Sequence, residues 1–591
     1  MSCRHGYSRA VRRRTALGVV GVAGFVVVVA AGGYWVGPLR STEAAGKRTA
    51  VTSTTTTTLP AIPARTGILS PPIYLENQRP GSAAWQVSHS TPGAIQGYAN
   101  TVSAQPGDQV PIMVSTVDPT FHVEAYRMGW YQSLGGRLVW QSPEIAGTSK
   151  GAPLDDPVTN MVEARWTPSL TLPTDATWLQ GDYLLKLVGS SGNQALVPLT
   201  LRDDASPSAF LVVNAVTSWQ AYNDWGGCSL YNCQGLGARA TVVSFDRPYG
   251  SAEGSGDYLG NEFPLLRRLE EWGFDVTYTT DVDVHRHPEL LLQHKAVLSM
   301  GHDEYWSKAM RDGMEAARDH GVNLAFFGAN AAYRQIRFDA SANGPDRHQI
   351  NYRTTADPIS GTDPLQTTVS FRQAPVNRPE NTLIGQQYEC NPVRADMVVS
   401  EAGSWVYAKT GVADGQRLEI VVGSEYDRWS PGAGVPDNVE ILAHSPVSCR
   451  GRKSFSDVTY YTAASGGGVF ATGTNYWVSK HDPPGRGSPF NPTIIQITRN
   501  VLEVFGAGPA GRTHPSVANA SAIAGRGGTG KYESSDTPST SSRSPSSSTS
   551  TNTTPPDTAP PEAPPPDATT STTTTTTTPT TTTSTTALPP P

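Results

Sequence analysis

Apolar positions between residues 67 and 203 alternate with polar or small ones, which is the two-residue period of half-buried β-strands. The alternation is clearest over 110–114 and 121–125. The segments 183–187 and 195–201 flank a Ser-Ser-Gly-Asn turn, which is typical of a β-hairpin. Short strands at this spacing, without a helical period, predict a β-sandwich domain over 67–203. We interpret it as a structural or docking module, because no cluster of titratable side chains falls within it.

The pattern changes after residue 204, where short apolar runs alternate with segments of helical period. The runs predict buried strands at 210–213, 241–245, 274–278, 295–300 and 322–327. Apolar residues at helical spacing predict two helices, one carrying Leu265, Leu269 and Trp272 and one carrying Met310, Met314 and Ala317. Alternating strands and helices predict an α/β domain with a mostly parallel sheet over 204–506, with β-rich additions after about 350.

Polar side chains follow four of the predicted strands. They occur as W-Q-A-Y-N at 219–223, F-D-R-P-Y at 245–249, G-H-D-E-Y-W at 301–306 and G-A-N at 328–330. Ligands of open parallel sheets bind beyond the carboxyl ends of the strands, so we expect these four segments at one rim. His302 and Glu304 are the strongest pair, because a predicted helix N-terminus just beyond them favours an anion. No nucleophile elbow and no phosphate-binding loop motif is present.

Composition separates the two ends of the chain from this folded part. Hydrophobic residues make up 37% of the sequence, below the usual 45–50% or so of globular proteins. Residues 37–66 form a Thr-rich linker, and 507–591 form a Ser/Thr/Pro-rich tail that is predicted to be disordered, either bare or O-glycosylated. A net charge of −6 without a basic excess argues against a nucleic-acid partner.

The N-terminal segment predicts export. Residues 1–15 are basic and contain five arginines, and the uncharged apolar run at 16–36 is long enough to cross a bilayer once. A cleaved secretory signal is the alternative, with Val29-Ala30-Ala31 as a small-residue cleavage site. Either way the domains after the run lie outside the cytoplasm, in a membrane-anchored or secreted protein.

Cysteine usage agrees with export. Cys3 precedes the apolar run, and the remaining four are an even number, as expected for two disulfides in an oxidising compartment. Cys228 with Cys233 is the local pairing and leaves Cys390 with Cys449. Zinc binding is the competing use, but a C-x4-C without a second pair nearby is a poor zinc pattern.

At the four strand-end motifs the sequence resembles the large (β) subunit of N,N-dimethylformamidase and its relatives. The motifs W-Q-A-Y-N, F-D-R-P-Y, G-H-D-E-Y-W and F-F-G-A-N-A-A-Y-R occur here in that order, and the resemblance is strongest over 210–338. It implies that 204–506 is a dimethylformamidase-like α/β domain with a glutamine-amidotransferase-like sheet. It also implies hydrolysis of the C–N bond of a small amide.

The same resemblance implies a mononuclear iron site, with Fe³⁺ held by two tyrosines and one glutamate. By motif, Tyr222 is the first tyrosine ligand and Glu304 the carboxylate, and the second tyrosine is Tyr249, with Tyr231 as rival. The motifs also imply that His302, Asn330 and Glu425 are the catalytic pocket residues.

Three departures leave the substrate open. The family enzyme is implied to be intracellular and to have a small partner subunit. This chain instead carries an export segment and a Thr/Pro tail, and no part of it resembles the small subunit. The substrate is therefore either a free small amide or an amide of the cell envelope. The alternative to an enzyme is a catalytically silent surface-binding protein with the same fold, in which the tyrosines only pack at the rim of the sheet. The sequence does not define an oligomeric state.

Overall fold

A computed structural model describes residues 69–235, 238–482 and 490–524 of the protein. The predicted segments 1–15, 16–36 and 37–66, and the tail beyond 524, lie outside these ranges. Within them, no helix is both long enough and apolar enough to span a bilayer. The fold is β-rich, with mixed sheets and few helices.

The N-terminal part contains eleven strands after a short helix, α1 (Pro71–Asn77). The strands are β1 Ile95–Ala99, β2 Ser103–Ala104, β3 Gln109–Thr116, β4 Thr120–Met128, β5 Gly136–Gln141, β6 Ile145–Ala146, β7 Leu154–Asp156, β8 Met161–Glu163, β9 Leu170–Pro173, β10 Gly181–Gly189 and β11 Gln194–Leu201. One sheet has the order β1-β3-β9, a second has the order β2-β11-β10-β4-β5 with β6 beside β4, and β7 and β8 form a separate two-stranded sheet. The apolar faces of β1, β3 and β9 share one core with those of β4, β10 and β11. This is the predicted sandwich, and the predicted 190–193 hairpin joins β10 to β11.

The strands of the following part continue the numbering. They are β12 Phe210–Asn214, β13 Val242–Ser244, β14 Val276–Thr280, β15 Ala296–Met300, β16 Tyr305–Ser307, β17 Asn323–Phe327, β18 Arg334–Ser341, β19 Gly344–Ile350, β20 Gln387–Val398, β21 Arg417–Arg428, β22 Glu440–Cys449, β23 Arg452–Thr462 and β24 Gly468–Ala471. The helices are α2 Val216–Tyr222, α3 Tyr258–Asn261, α4 Phe263–Glu271, α5 Asp281–Arg286, α6 Lys308–Asp319, α7 Asn381–Ile384, α8 Tyr476–Ser479, α9 Pro492–Phe505 and α10 Ala520–Ala524.

The main sheet has seven strands in the order β14-β12-β15-β17-β24-β23-β22. The first five run parallel, as the crossover pattern predicts, and the last two are added antiparallel. The parallel strands β12, β14, β15 and β17 are buried along their whole length, which explains the mainly apolar sequences of β12, β15 and β17, whereas β14 buries three threonines. Whether the sheet is specifically glutamine-amidotransferase-like stays a prediction.

One predicted strand belongs elsewhere. The apolar run at 241–245 forms β13, which pairs with β19 in a separate sheet of order β13-β19-β18-β16. The strand itself is therefore outside the main sheet, but the segment after it still reaches the predicted rim, since Asn223 donates a hydrogen bond to the carbonyl oxygen of Pro248 at 2.9 Å and Arg247 donates to the carbonyl oxygen of Asn223 at 2.8 Å. An apolar run predicts burial, but it does not specify which neighbour supplies the hydrogen bonds.

The C-terminal boundary predicted at 506 also falls short. Ala510, Ala520 and Ile523 are buried, and Asn519 donates and accepts hydrogen bonds with the backbone of Ile441 in β22. A few apolar residues inside a Gly/Ser-rich stretch are therefore enough to pack the segment 510–524 against the domain.

The sandwich and the α/β part share a continuous core that includes Tyr126 and Leu184 on one side and Phe210 and Phe263 on the other. Both disulfides form as predicted, between Cys228 and Cys233 and between Cys390 and Cys449.

Candidate metal centre and its pocket

Three oxygen atoms meet beyond the carboxyl ends of β12 and β15. Tyr222 Oη lies 2.8 Å from Glu304 Oε2, Tyr231 Oη lies 2.8 Å from the same Glu304 oxygen, and the two phenolic oxygens are 2.6 Å apart. Glu304 is fully buried and both tyrosines are half-buried. The result is a compact triangle of oxygens at the rim of the main sheet.

Local structure fixes each side chain of this triangle. Tyr222 ends helix α2, which starts directly after β12, and Ser218 Oγ of the same helix accepts a hydrogen bond from the backbone N–H of Glu304 at 2.8 Å. Tyr231 lies inside the loop closed by the Cys228–Cys233 disulfide. Its ring stacks on the Tyr222 ring with centroids 4.3 Å apart.

Tyr249, the first choice for the second tyrosine, lies outside this group. Its ring packs against Trp219 at a centroid distance of 6.2 Å, and burial raises the pKa of its phenol. In the described ranges it makes no hydrogen bond to Tyr222 or Glu304. The segment that carries Tyr249 does contact the rim, because Gly250 N–H donates to Asn223 Oδ1, but the Tyr249 ring packs on Trp219 of α2. The rival residue, Tyr231, takes the position beside Glu304.

Two further side chains, which the sequence analysis did not identify, contact Tyr231. Tyr305 Oη lies 2.7 Å from Tyr231 Oη, and Arg353 Nη2 donates to Tyr305 Oη at 2.7 Å. The Arg353 guanidinium also lies 4.3 Å from the centroid of the Tyr231 ring. Tyr305 belongs to G-H-D-E-Y-W and could have been proposed from the motif, whereas Arg353 carries no sequence signal.

His302 lies between two carboxylates. Its Nε2 is 3.3 Å from Glu425 Oε2 and 3.6 Å from Glu304 Oε2. Burial disfavours the imidazolium, but the charges of Glu425 and then Glu304 outweigh it and raise the pKa of His302 to about 10. The imidazole is therefore protonated at neutral pH. The structure thus brings together His302, Glu304 and Glu425, which are far apart in the sequence.

The predicted helix N-terminus is not directly beyond His302 and Glu304. Residues Tyr305–Ser307 form the short strand β16, and helix α6 begins only afterwards, with Ser307 as its cap. Glu304 is consequently held by Ser218 and by neighbouring side chains rather than by a helix dipole.

Asn330 lies in the turn after β17. This turn lies beside the segment that carries His302 and Glu304. The backbone N–H groups of Tyr333 and Arg334 donate to the carbonyl oxygen of Glu304 at 3.0 and 2.9 Å. A Cβ at Gly328 would lie 1.4 Å from the carbonyl oxygen of Gly301, so only glycine allows the two turns to approach this closely.

The Asn330 side chain is buried, and neither of its polar atoms has a hydrogen-bond partner in the described ranges. Its φ of 61° is left-handed, and its backbone N–H donates to Asp427 Oδ1 at 2.8 Å. Burial raises the pKa of Asp427 to about 8. A strained, buried amide without a partner is typical of a functional position.

The oxygen triangle fits a small, hard metal ion. Three ligands on one face of an octahedron, each about 2.0–2.1 Å from the ion, are about 2.8–3.0 Å apart. The oxygen separations of 2.6–2.8 Å, which are hydrogen-bond distances here, lie at or just below the lower end of this range. Phenolate and carboxylate oxygens are hard donors suited to Fe³⁺. The described ranges contain no grouping of three His, Cys, Asp or Glu side chains that could hold a metal.

Comparison with known proteins agrees with the motifs. The family model "N,N-dimethylformamidase beta subunit-like, C-terminal" matches residues 122–486, well over half of the chain. The chain belongs to this family. The match includes much of the sandwich as well as the dimethylformamidase-like α/β part, and it supports an amide-hydrolase-like function.

Other comparisons add little to the family match. No curated protein matches the sequence. A crystal structure of a Paenibacillus sp. cycloisomaltooligosaccharide glucanotransferase complexed with cycloisomaltoheptaose matches at 11% identity and a TM-score of 0.14. That match covers 44% of this chain and 34% of the other, so the chain spans about a third of that protein's length. A similarity at this level carries no argument about function.

Proposed function

We propose that this dimethylformamidase-like protein is an exported, iron-dependent hydrolase of an amide C–N bond. The observation that supports it most is the triangle of Tyr222, Tyr231 and Glu304 oxygens beside the protonated His302. Export is supported by the two disulfides, which are typical of oxidising compartments. The parallel arrangement of β14, β12, β15, β17 and β24 supports a glutamine-amidotransferase-like sheet.

Tyr222, Tyr231 and Glu304 would hold Fe³⁺, and their three negative charges would neutralise it in a buried site. When bound, the ion supplies Lewis acidity, which polarises an amide carbonyl and makes a bound water more acidic. Free tyrosine has a pKa near 10, so holding the ion requires both phenols to lose their protons.

The remaining pocket residues move or hold protons. Glu425, 3.3 Å away, is the carboxylate that favours the charged form of His302, since Glu304 would hold the ion; His302 donates a proton to the leaving amine as the C–N bond breaks. Glu425 keeps the imidazole charged and oriented. The unpartnered amide N–H of Asn330 donates a hydrogen bond to the oxyanion that develops on the carbonyl. Water adds to the carbonyl carbon, so the products are a carboxylic acid and an amine.

The test combines iron content, visible absorption and hydrolysis of a panel of amides. The full chain, purified after export, should contain about one iron and show the absorption band of phenolate bound to ferric iron. The panel contains formamides, acetamides and a cell-envelope peptide amide, so that small and envelope substrates are separated. Hydrolysis of none of them by an iron-loaded protein would favour the surface-binding alternative.

Three tyrosine variants test the ligand set. Tyr222→Phe and Tyr231→Phe should lose both the iron and the band, whereas Tyr249→Phe, the matched control, should keep them. Loss of iron in Tyr249→Phe with retention in Tyr231→Phe would show that the geometry has been misassigned. A colourless wild-type protein that takes up no iron would refute the site.

A further inference from the structure

Glu425 is supported from the side opposite to His302. Its Oε2 faces His302 Nε2 at 3.3 Å, while its Oε1 accepts a hydrogen bond from Asn391 Nδ2 at 3.0 Å. Both Glu425 and Asn391 are buried. One oxygen of the carboxylate is therefore held by the amide, and the other is presented to the imidazole.

Asn391 is itself fixed by Arg450. The guanidinium donates from Nη2 to Asn391 Oδ1 at 2.9 Å and from Nε to the Asn391 carbonyl oxygen at 2.8 Å. Because arginine only donates hydrogen bonds, the Asn391 oxygen must face Arg450, and the NH₂ group must face Glu425. The arginine thus sets the orientation of the amide and makes it a donor to the carboxylate.

A covalent bond ties the same two positions together. Cys390 precedes Asn391 in β20, Cys449 precedes Arg450 at the end of β22, and the two cysteines form a disulfide. The β20 strand and the β22–β23 turn cannot separate while this bond is intact. We call Asn391, Arg450 and this disulfide the Asn391 support.

We propose that Asn391, held by Arg450 and by the Cys390–Cys449 disulfide, is a positioning residue that orients Glu425 toward His302. The proposal rests on the proposed amide-hydrolase function of the same pocket. Since the disulfide persists only under oxidising conditions, the Asn391 support is complete only after the chain leaves a reducing compartment.

The test uses the full chain with variants on each link. Supporting partners outside the reacting group typically contribute about 10–100-fold to activity. Asn391→Ala should lower kcat by that factor, with KM and iron content changed less than about twofold. Arg450→Met should act in the same direction, and Arg450→Lys, which retains one donor, should recover part of the loss. Asn343→Ala, at an exposed asparagine in the β18–β19 turn, is the matched control and should leave kcat unchanged.

A structural measurement separates this proposal from the amidase proposal. Crystal structures of the wild type, Asn391→Ala and Cys390→Ser/Cys449→Ser should show the Glu425 carboxylate displaced from His302 in both variants. If Glu425 stays in place in both, the positioning role is overturned whatever the activity. If Glu425 moves but the wild type hydrolyses no amide, the positioning role stands and the proposed reaction is wrong.

Discussion

Replacement of Glu270 by Gln should destabilise the protein severely, because it leaves a buried guanidinium without its counter-charge. Arg127 of β4 and Glu270 of α4 form a two-pronged ion pair at 2.6 and 2.8 Å, and neither side chain is exposed to solvent. Tyr278 and Asn77 donate further hydrogen bonds to the two Glu270 oxygens at 2.7 and 2.8 Å. The pair links the sandwich to the α/β part.

Removing one partner of a buried pair costs about 3–5 kcal/mol. The described part of the chain contains roughly 450 residues. With an unfolding entropy of about 2.1 cal/mol/K per residue, a loss of 4 kcal/mol lowers Tm by about 4 °C if both parts unfold together. The Arg127→Met/Glu270→Gln double variant should lose about 1–3 kcal/mol less than the sum of the single variants, because it no longer buries an unpaired charge.

The assay is urea unfolding followed by tryptophan fluorescence, with Tm from calorimetry as a second measurement. Glu503→Gln is the matched control: Glu503 pairs with Arg499 at 2.9 Å in an exposed i,i+4 geometry, which is worth only about 0.3–0.5 kcal/mol. A Glu270→Gln loss no larger than that of the control, or strictly additive effects in the double variant, would refute the reasoning.

Two further predictions concern buried polar groups. Burial raises the pKa of Asp182 to about 7, so the folded chain keeps a proton that the unfolded chain releases above about pH 4. The free energy of unfolding should therefore fall as the pH rises from about 4 to 7. Asp182→Asn should flatten this decline, measured as urea midpoints at pH 5 and pH 8. An equal decline in the variant would contradict the role of Asp182. Asn330→Gly should keep its Tm, because glycine adopts a φ of 61° without Cβ strain, but should lower kcat about 100-fold; full activity in Asn330→Gly would exclude the oxyanion role.

The strands of the main sheet were predictable because they are buried on both faces. β12, β15 and β17 are short, mainly apolar runs followed by polar segments, and the parallel sheet brings their ends together. This is enough to place Tyr222, Glu304 and Asn330 near each other from the sequence alone. The cysteine pairing was also predictable, because Cys228 and Cys233 are close in sequence and their pairing leaves Cys390 to pair with Cys449.

The second tyrosine could not be chosen by periodicity. β13 has the same apolar pattern as the main-sheet strands, but its hydrogen-bond partner is β19, and no local pattern records that choice. Tyr231 carried a different signal, because it lies between Cys228 and Cys233 in a loop that a local disulfide must hold close to α2. Asn391 and Arg450 carried none, since their contacts join strands far apart in the chain.

Both disulfides border the candidate site, so they can fix local geometry there as well as stabilise the fold. In the chain-entropy account, a loop with a sequence separation of 5 restrains the unfolded chain by about 2 kcal/mol, and one with a separation of 59 by about 4 kcal/mol. Those energies stabilise the whole fold, but the positions are specific: Cys228–Cys233 encloses Tyr231, and Cys390–Cys449 precedes Asn391 and Arg450. Any long loop would serve a disulfide that only stabilises the fold. These two disulfides instead lie beside Tyr231 and beside Asn391 and Arg450, which contact Glu304 and Glu425 or their partners. If the proposed support of Glu425 holds, the site should form fully only in an oxidising compartment, which agrees with the export that the N-terminal sequence predicts.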